Sequence, residues 1–178
     1  MKQIDFPNKK YQIIYADPPW SYRDQGCQGT MANHYSGMAI GDIQALPVSQ
    51  ICGKDCILFM WATFPMLAEA LAVIGSWGFE YKTMGFLWVK QNTVKDSLFY
   101  GLGRWTRGNA EPCLLATRGK PKRVNRAIRQ ILFHPRGKHS QKPPDVRFKI
   151  VELVGDLPRI ELFARDRVSG WDAWGNEV

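Results

Sequence analysis

No apolar run in these 178 residues approaches the roughly 20 needed to cross a bilayer. The opening decapeptide MKQIDFPNKK is polar, with no apolar signal core behind it, so secretion is not expected. Cysteines number only four, Cys27, Cys52, Cys56 and Cys113. None forms a CxxC pair and no histidines cluster with them. A metal site is therefore not expected, whereas reduced thiols in a cytoplasmic protein are. Repeats and low-complexity tracts are absent. With 45% apolar and 22% charged residues the composition is globular, and the length predicts a single domain over 1–178.

Acidic residues are scarce in one region. Between Arg104 and Lys149 there are thirteen Lys or Arg against two acids, Glu111 and Asp145. The rest of the chain carries eleven basic and fourteen acidic residues. The net charge of +8 is thus concentrated in about a quarter of the sequence. A concentrated positive stretch suits a polyanion, most often a nucleic acid. Seven tryptophans are many for this length, and Trp20, Trp105, Trp171 and Trp174 stand in polar or Gly-rich surroundings. Such indoles are candidates for stacking on bases.

Apolar runs at 11–15 (YQIIY), 56–62 (CILFMWA), 113–117 (CLLAT) and 160–164 (IELFA) read as buried strands, with a further one at 130–133. Residues 79–89 read as strands or a hairpin. Helical spacing predicts a helix over 65–77 and another over 143–154 opening on proline, and a short one is expected at 41–45 before Pro47. Residues 21–38 and 91–110 are polar and irregular. Strands alternating with helices predict an α/β domain, its mostly parallel sheet covered on both faces. Function in such sheets sits at the strands' C-terminal ends.

The first strand ends in Asp17-Pro18-Pro19-Trp20. Two prolines stiffen the turn. Their carbonyls, together with the Asp17 carboxylate, offer hydrogen-bond acceptors, and Trp20 offers either a flat face or a prop for the loop. A planar base with an exocyclic amine would find acceptors and a wall here. No GxGxxG follows the first strand. Gly101, Gly103 and Gly108 mimic such a fingerprint but lack the strand and helix that it requires.

Tyr15 to Trp20 (YADPPW) resembles the signature of the methyltransferase-A family of DPPW-type adenine 6-amino methyltransferases. The likeness extends through Trp61, FLWVK at 86–90, LLATRGKP at 114–121, HSQKP at 139–143 and the stretch from Glu161 to Glu177. The compact length is similar to the bacterial and phage branch. The resemblance implies a Rossmann-like fold of the S-adenosylmethionine-dependent methyltransferase type with permuted motif order, the catalytic loop preceding the cofactor strand. It implies catalysis at Asp17, Pro18, Pro19 and Trp20, with Asp17 and the Pro18 carbonyl holding the adenine amine. It implies cofactor contacts from Asp17, Lys142, Phe163, Arg165, Arg167, Asn176 and Glu177. Arg167 and Val168 depart from the histidine and asparagine of the messenger-RNA enzyme's catalytic subunit. The family's acidic contact to the cofactor's adenine has no secure counterpart here, Asp5 being the only nearby acid. Substrate contacts are implied for Tyr35, Trp88, Lys90, Arg104 and Glu111.

The expected reaction is methyl transfer from S-adenosylmethionine to the 6-amino group of adenine, with DNA as substrate. The alternatives are the same chemistry on RNA, and a silent nucleic-acid-binding partner. A homodimer, or a heterodimer with a related subunit, fits the family, and no membrane association is expected. The intact acidic motif, Lys142 and Asn176 argue for an active enzyme. The basic stretch is expected to bind phosphates, giving salt-sensitive affinity. A target in duplex DNA would have to be flipped out.

Overall fold

The structure, a computed structural model, describes residues 5–21, 37–103, 105–137 and 141–178. Seven strands form one sheet in the order β5-β3-β4-β2-β1-β6-β7. These are β1 (Tyr11–Ala16), β2 (Cys52–Trp61), β3 (Glu80–Gln91), β4 (Ala110–Arg118), β5 (Ile131–Pro135), β6 (Arg159–Leu162) and β7 (Asp172–Trp174). Four of the six pairings are parallel, and β4 runs antiparallel to both β2 and β3. The α/β fold and the mostly parallel sheet are as the sequence predicts.

Residues 13–16 of β1 and 56–61 of β2 are continuous apolar runs because both their faces are buried. Along β1, Ile14 and Ala16 enter one core while Ile13 and Tyr15 enter the other. Along β2, Cys56, Leu58 and Met60 alternate in the same way with Ile57, Phe59 and Trp61. This is the period of two that a strand imposes. Helices α1 (Ile40–Ala45), α2 (Val48–Ile51) and α3 (Leu67–Ser76) supply Ile43, Val48, Ile51, Ala70, Val73 and Ile74 to the first core. Helix α4 (Asp145–Val154) supplies Val146, Ile150 and Val154 to the second. Two cores, one per face, result.

Of residues 79–89, read as strands or a hairpin, all but Phe79 belong to one twelve-residue strand, β3. Gly85 is not a turn residue. A Cβ there would stand 3.2 Å from Leu115 Cβ and 3.3 Å from Phe59 Cδ1, so the glycine permits close approach within the sheet. Strand β7 is only three residues long and has no counterpart in the periodicity.

Strand β1 lies between β2 and β6. The chain therefore leaves β1 for one side of the sheet and returns later on the other. That reversal opens a crevice at the C-terminal end of β1, where open α/β sheets take ligands. Asp17 is the next residue.

Candidate active site

The turn after β1 is held from several sides. The Trp20 N–H donates to the Pro18 carbonyl at 2.8 Å, and the Met38 N–H donates to the Pro19 carbonyl at 3.0 Å. Each proline carbonyl thus accepts one backbone bond and keeps a second lone pair. Trp20 is 4% exposed and its indole N–H donates to the Trp61 carbonyl at 3.1 Å. Of its two possible roles it takes the prop, not the stacking wall.

Asp17 projects into a chain of alternating charges. Lys142 Nζ lies 2.8 Å from Asp17 Oδ2 and 3.3 Å from Glu111 Oε1. Lys90 Nζ lies 2.9 Å from Glu111 Oε2. Lys142 stands just before α4, Glu111 near the start of β4 and Lys90 near the end of β3. Because β4 is antiparallel, its start and the end of β3 share one edge with the end of β1. The topology thus gathers four residues from distant parts of the sequence. Aromatic rings lie beneath them. Lys142 Nζ is 5.7 Å from the Trp61 ring centroid and Lys90 Nζ is 5.0 Å from that of Trp88. The Trp61 indole N–H donates to the Tyr15 hydroxyl at 2.6 Å, fixing that platform to β1.

The two carboxyls differ. Burial pushes Asp17 above its ordinary range; Lys142 opposes this only in part, and Glu111 adds to it. Burial acts on Glu111 too, but Lys142 and Lys90 outweigh it and hold this carboxyl below its ordinary range. Burial alone would lower Lys142, yet Asp17 and Glu111 together raise it. Neighbouring carboxyls with displaced protonation are a functional-site signature. Asp17 is the more basic of the two, and Glu111 holds its charge. Nearby Cys113 is pushed far up by burial and stays a neutral thiol.

Several implied contacts sit at the neighbouring strand ends. Phe163 follows β6 with φ +60, a left-handed backbone uncommon for a bulky residue. Its ring meets Trp174 edge-on at 5.7 Å, and Trp174 also meets Phe6 at 4.6 Å. Asp5, the residue before Phe6, is exposed. Gly175 fits tightly against this turn, because a Cβ there would run into the Ala164 carbonyl. Arg165 Nε lies 3.8 Å from Glu177 Oε1 and its charge reaches Asp17. Asn176 and Arg167 are exposed. Cations, an amide and a carboxylate beside aromatic rings are the groups needed for an amino-acid end and a nucleoside end, so these residues fit S-adenosylmethionine.

One implied substrate contact is corrected. Trp88 is 2% exposed, and its indole N–H donates to the His134 carbonyl at 2.8 Å. It underlies Lys90 and presents no face to a substrate. Tyr35 and Arg104 lie outside the described residues. The basic stretch does not form one surface. Strand β4 begins beside the site and ends at the opposite edge, where the Lys120 N–H donates to Asp55 and the Val124 N–H to Leu153 at the far end of α4. Lys120, Lys122, Arg123 and Arg126 therefore lie away from Asp17.

Sequence reading gave Trp61 no role and missed the Arg147–Glu161 pair entirely. Arg147 Nε and Nη2 donate to the two Glu161 oxygens at 2.6 and 2.7 Å. A glutamate inside the apolar run IELFA was the available signal, since a buried carboxylate requires a partner.

The MT-A70 family model matches residues 11–177. The type II methyltransferase M.MunI of Mycoplasma sp is 38% identical, over 97% of this chain and 79% of its own length. An N(6)-adenosine-methyltransferase MT-A70-like protein of Arabidopsis thaliana is 27% identical, over 94% of this chain and 24% of its own length. The N6-methyladenosine RNA methyltransferase MTA1 of Pyricularia oryzae is 26% identical, over 94% of this chain and 47% of its own length. The chain thus spans most of the first relative and less than half of the other two.

Proposed function

Because the chain belongs to the MT-A70 family, whose members depend on S-adenosylmethionine, we propose that Asp17 and its neighbours methylate the 6-amino group of adenine within a polynucleotide. The observation that carries this reading is the raised Asp17 carboxyl, sharing Lys142 with a Glu111 held ionised, at the open end of β1. S-adenosylmethionine supplies a methyl group made electrophilic by its sulfonium.

Asp17 accepts a hydrogen bond from the amine, and the second lone pair of the Pro18 carbonyl can accept another. These bonds draw the nitrogen out of conjugation with the ring and raise its electron density. The amine proton becomes strongly acidic only as the new N–C bond forms. A carboxylate more basic than usual, already in place, then receives it. Lys142 holds Asp17 in position and keeps Glu111 ionised beside it. Glu111 in turn positions Lys90. Phe163, Arg165, Asn176 and Glu177 are assigned to the cofactor side. The chain's main task is alignment of two reacting atoms.

The kind of polynucleotide is a finer question. The name of the Pyricularia oryzae relative states RNA, and that of the Arabidopsis thaliana relative states adenosine, the ribonucleoside. By that measure RNA is better supported than the DNA expected from sequence. The DNA reading retains one support, the 38% identity with the type II methyltransferase of Mycoplasma sp. The deciding experiment incubates the protein with labelled S-adenosylmethionine and matched DNA and RNA, single- and double-stranded, then identifies the nucleoside by mass spectrometry. Label on 6-methyladenosine or on 6-methyldeoxyadenosine selects between them. Label on neither, with intact cofactor binding, rejects the proposed reaction.

A further inference from the structure

The segment between β3 and β4 rises from the edge that carries the site. Its base is fixed. The Lys90 N–H donates to the Asn109 carbonyl at 2.8 Å, the Phe99 N–H donates to the Lys90 carbonyl at 2.9 Å, and the Arg136 guanidinium lies 3.5 Å from the Phe99 ring centroid. Higher up, the Gly101 N–H donates to the Gly108 carbonyl at 2.7 Å. A Cβ at Gly103 would run into the Thr106 carbonyl, so glycine permits the tight tip. Beyond this closure Leu102 is 91% exposed and Trp105 is 95% exposed.

Folding gains nothing from an indole left in water, although its apolar area is among the largest of any side chain. Its surroundings indicate what would cover it. No acid occurs from residue 97 to 110, and Arg107 there is exposed; lower on the same segment the exposed Lys95 and Asp96 offset each other. The nearest carboxylate on the chain, Glu111, is already matched by two lysines. A second copy of this tip would bring like charges together. An anionic partner with flat apolar faces suits it on both counts.

We infer that Trp105 stacks on a base of the polynucleotide that flanks the adenine being methylated. This rests on the polynucleotide reading above. Trp105 is six residues from Glu111, a span of at most about 20 Å, and Glu111 is one lysine removed from Asp17. The stacked base is therefore within a few nucleotides of the target. Stacking of this kind tolerates any base, because every base has a π-face. It gives the enzyme a grip on its strand without reading sequence.

The test measures binding of short fluorescent DNA and RNA strands, each with one adenine, to the full chain by anisotropy over a range of salt. Trp105→Ala is expected to weaken binding about tenfold while affinity for the cofactor stays unchanged. Trp105→Phe should restore most of the loss and Trp105→Leu should not. Plots of log affinity against log salt should stay parallel, since stacking releases no counterions. Strands with one abasic position walked past the adenine should reveal one site at which wild type loses its advantage over Trp105→Ala.

Unchanged binding by Trp105→Ala overturns the inference alone, as does equal rescue by leucine or the absence of any coupled abasic position. A loss of affinity that tracks a dimer-to-monomer change in sedimentation assigns the tip to a second copy and also overturns it. A wild-type protein that binds cofactor but no strand at all overturns the polynucleotide reading, and the inference with it.

Discussion

Two buried charge clusters lie against the end of β1, and they are built on opposite plans. Arg147 meets Glu161 through two parallel bonds, with its guanidinium 5.7 Å from the Tyr15 ring centroid. Among the described residues each has one ion-pair partner, fixed by α4 and β6. In the other cluster one lysine serves two carboxylates, and Asp17 and Lys142 stand just beyond the ends of regular elements. Burial raises Asp17 more than its partner lowers it. The first arrangement is closed and supports packing. The second is shared, so one partner can be exchanged for a substrate without leaving a charge alone. Satisfied pairs mark structure here, and the divided pair marks chemistry.

The largest expected effects would break that contrast if they failed. Asp17→Ala should reduce methyl transfer by at least about a thousandfold, equivalent to ~4 kcal/mol of barrier. Its melting temperature and strand binding should stay near wild type. Single-turnover transfer to an oligonucleotide measures the first, and thermal melts with anisotropy measure the others. Arg147→Ala should do the reverse. Leaving Glu161 buried and unpaired should cost about 3–5 kcal/mol in urea unfolding, with turnover per folded molecule little changed. Combining Arg147→Met with Glu161→Leu should recover most of that stability. Equal damage to activity and stability from both single variants would erase the distinction.

How much of this was legible depends on how far apart the interacting residues lie. Strands β1 and β2 were readable because burial on both faces leaves continuous apolar runs. The turn after β1 was readable because two prolines punctuate it. Strand β3 was ambiguous because its stretch contains a glycine, Gly85, whose close neighbours across the sheet are not visible in sequence. The partners of Lys142 were hidden, since Asp17 is 125 positions away. The indoles of Trp20 and Trp88 were misjudged or left open because sequence does not distinguish a stacking face from a buried prop. The basic stretch misled for a topological reason. Strand β4 runs from one end of the sheet to the other, so the basic residues before it and after it lie at opposite ends.

Acid titration sharpens the difference within the shared cluster. Lys142 and Lys90 hold Glu111 below its ordinary range, so this carboxyl contributes stability at neutral pH that is lost as pH falls through its folded-state value. Glu111→Gln should therefore destabilise the chain by about 1–2 kcal/mol at pH 7, and the deficit should shrink in acid. Asp17 carries the opposite sign. Burial raises it, so its ionisation opposes folding, and stability returns as pH falls through its folded-state value. Asp17→Asn should leave the chain as stable as wild type at pH 7, or up to about 1 kcal/mol more so. Urea unfolding at pH 7 and at pH 4 checks both, and a stabilising Glu111→Gln would exchange their roles.

The smallest effect tests which edge of the sheet meets the nucleic acid. Lys95 and Arg107 are exposed on the segment above the site, whereas Arg123 and Arg126 are exposed near the far end of α4. Each phosphate neutralised adds somewhat less than one unit to the slope of log affinity against log salt. Replacing Lys95 and Arg107 with glutamine should lower that slope by up to about 1.5 for single strands and weaken binding severalfold at moderate salt. The same change at Arg123 and Arg126 should leave the slope where it was. All four residues carry the same charge, so net charge alone predicts equal losses. Only position relative to Asp17 separates the pairs. Equal losses would mean that the strand wraps past the edge of the sheet, with the far cluster as part of its track.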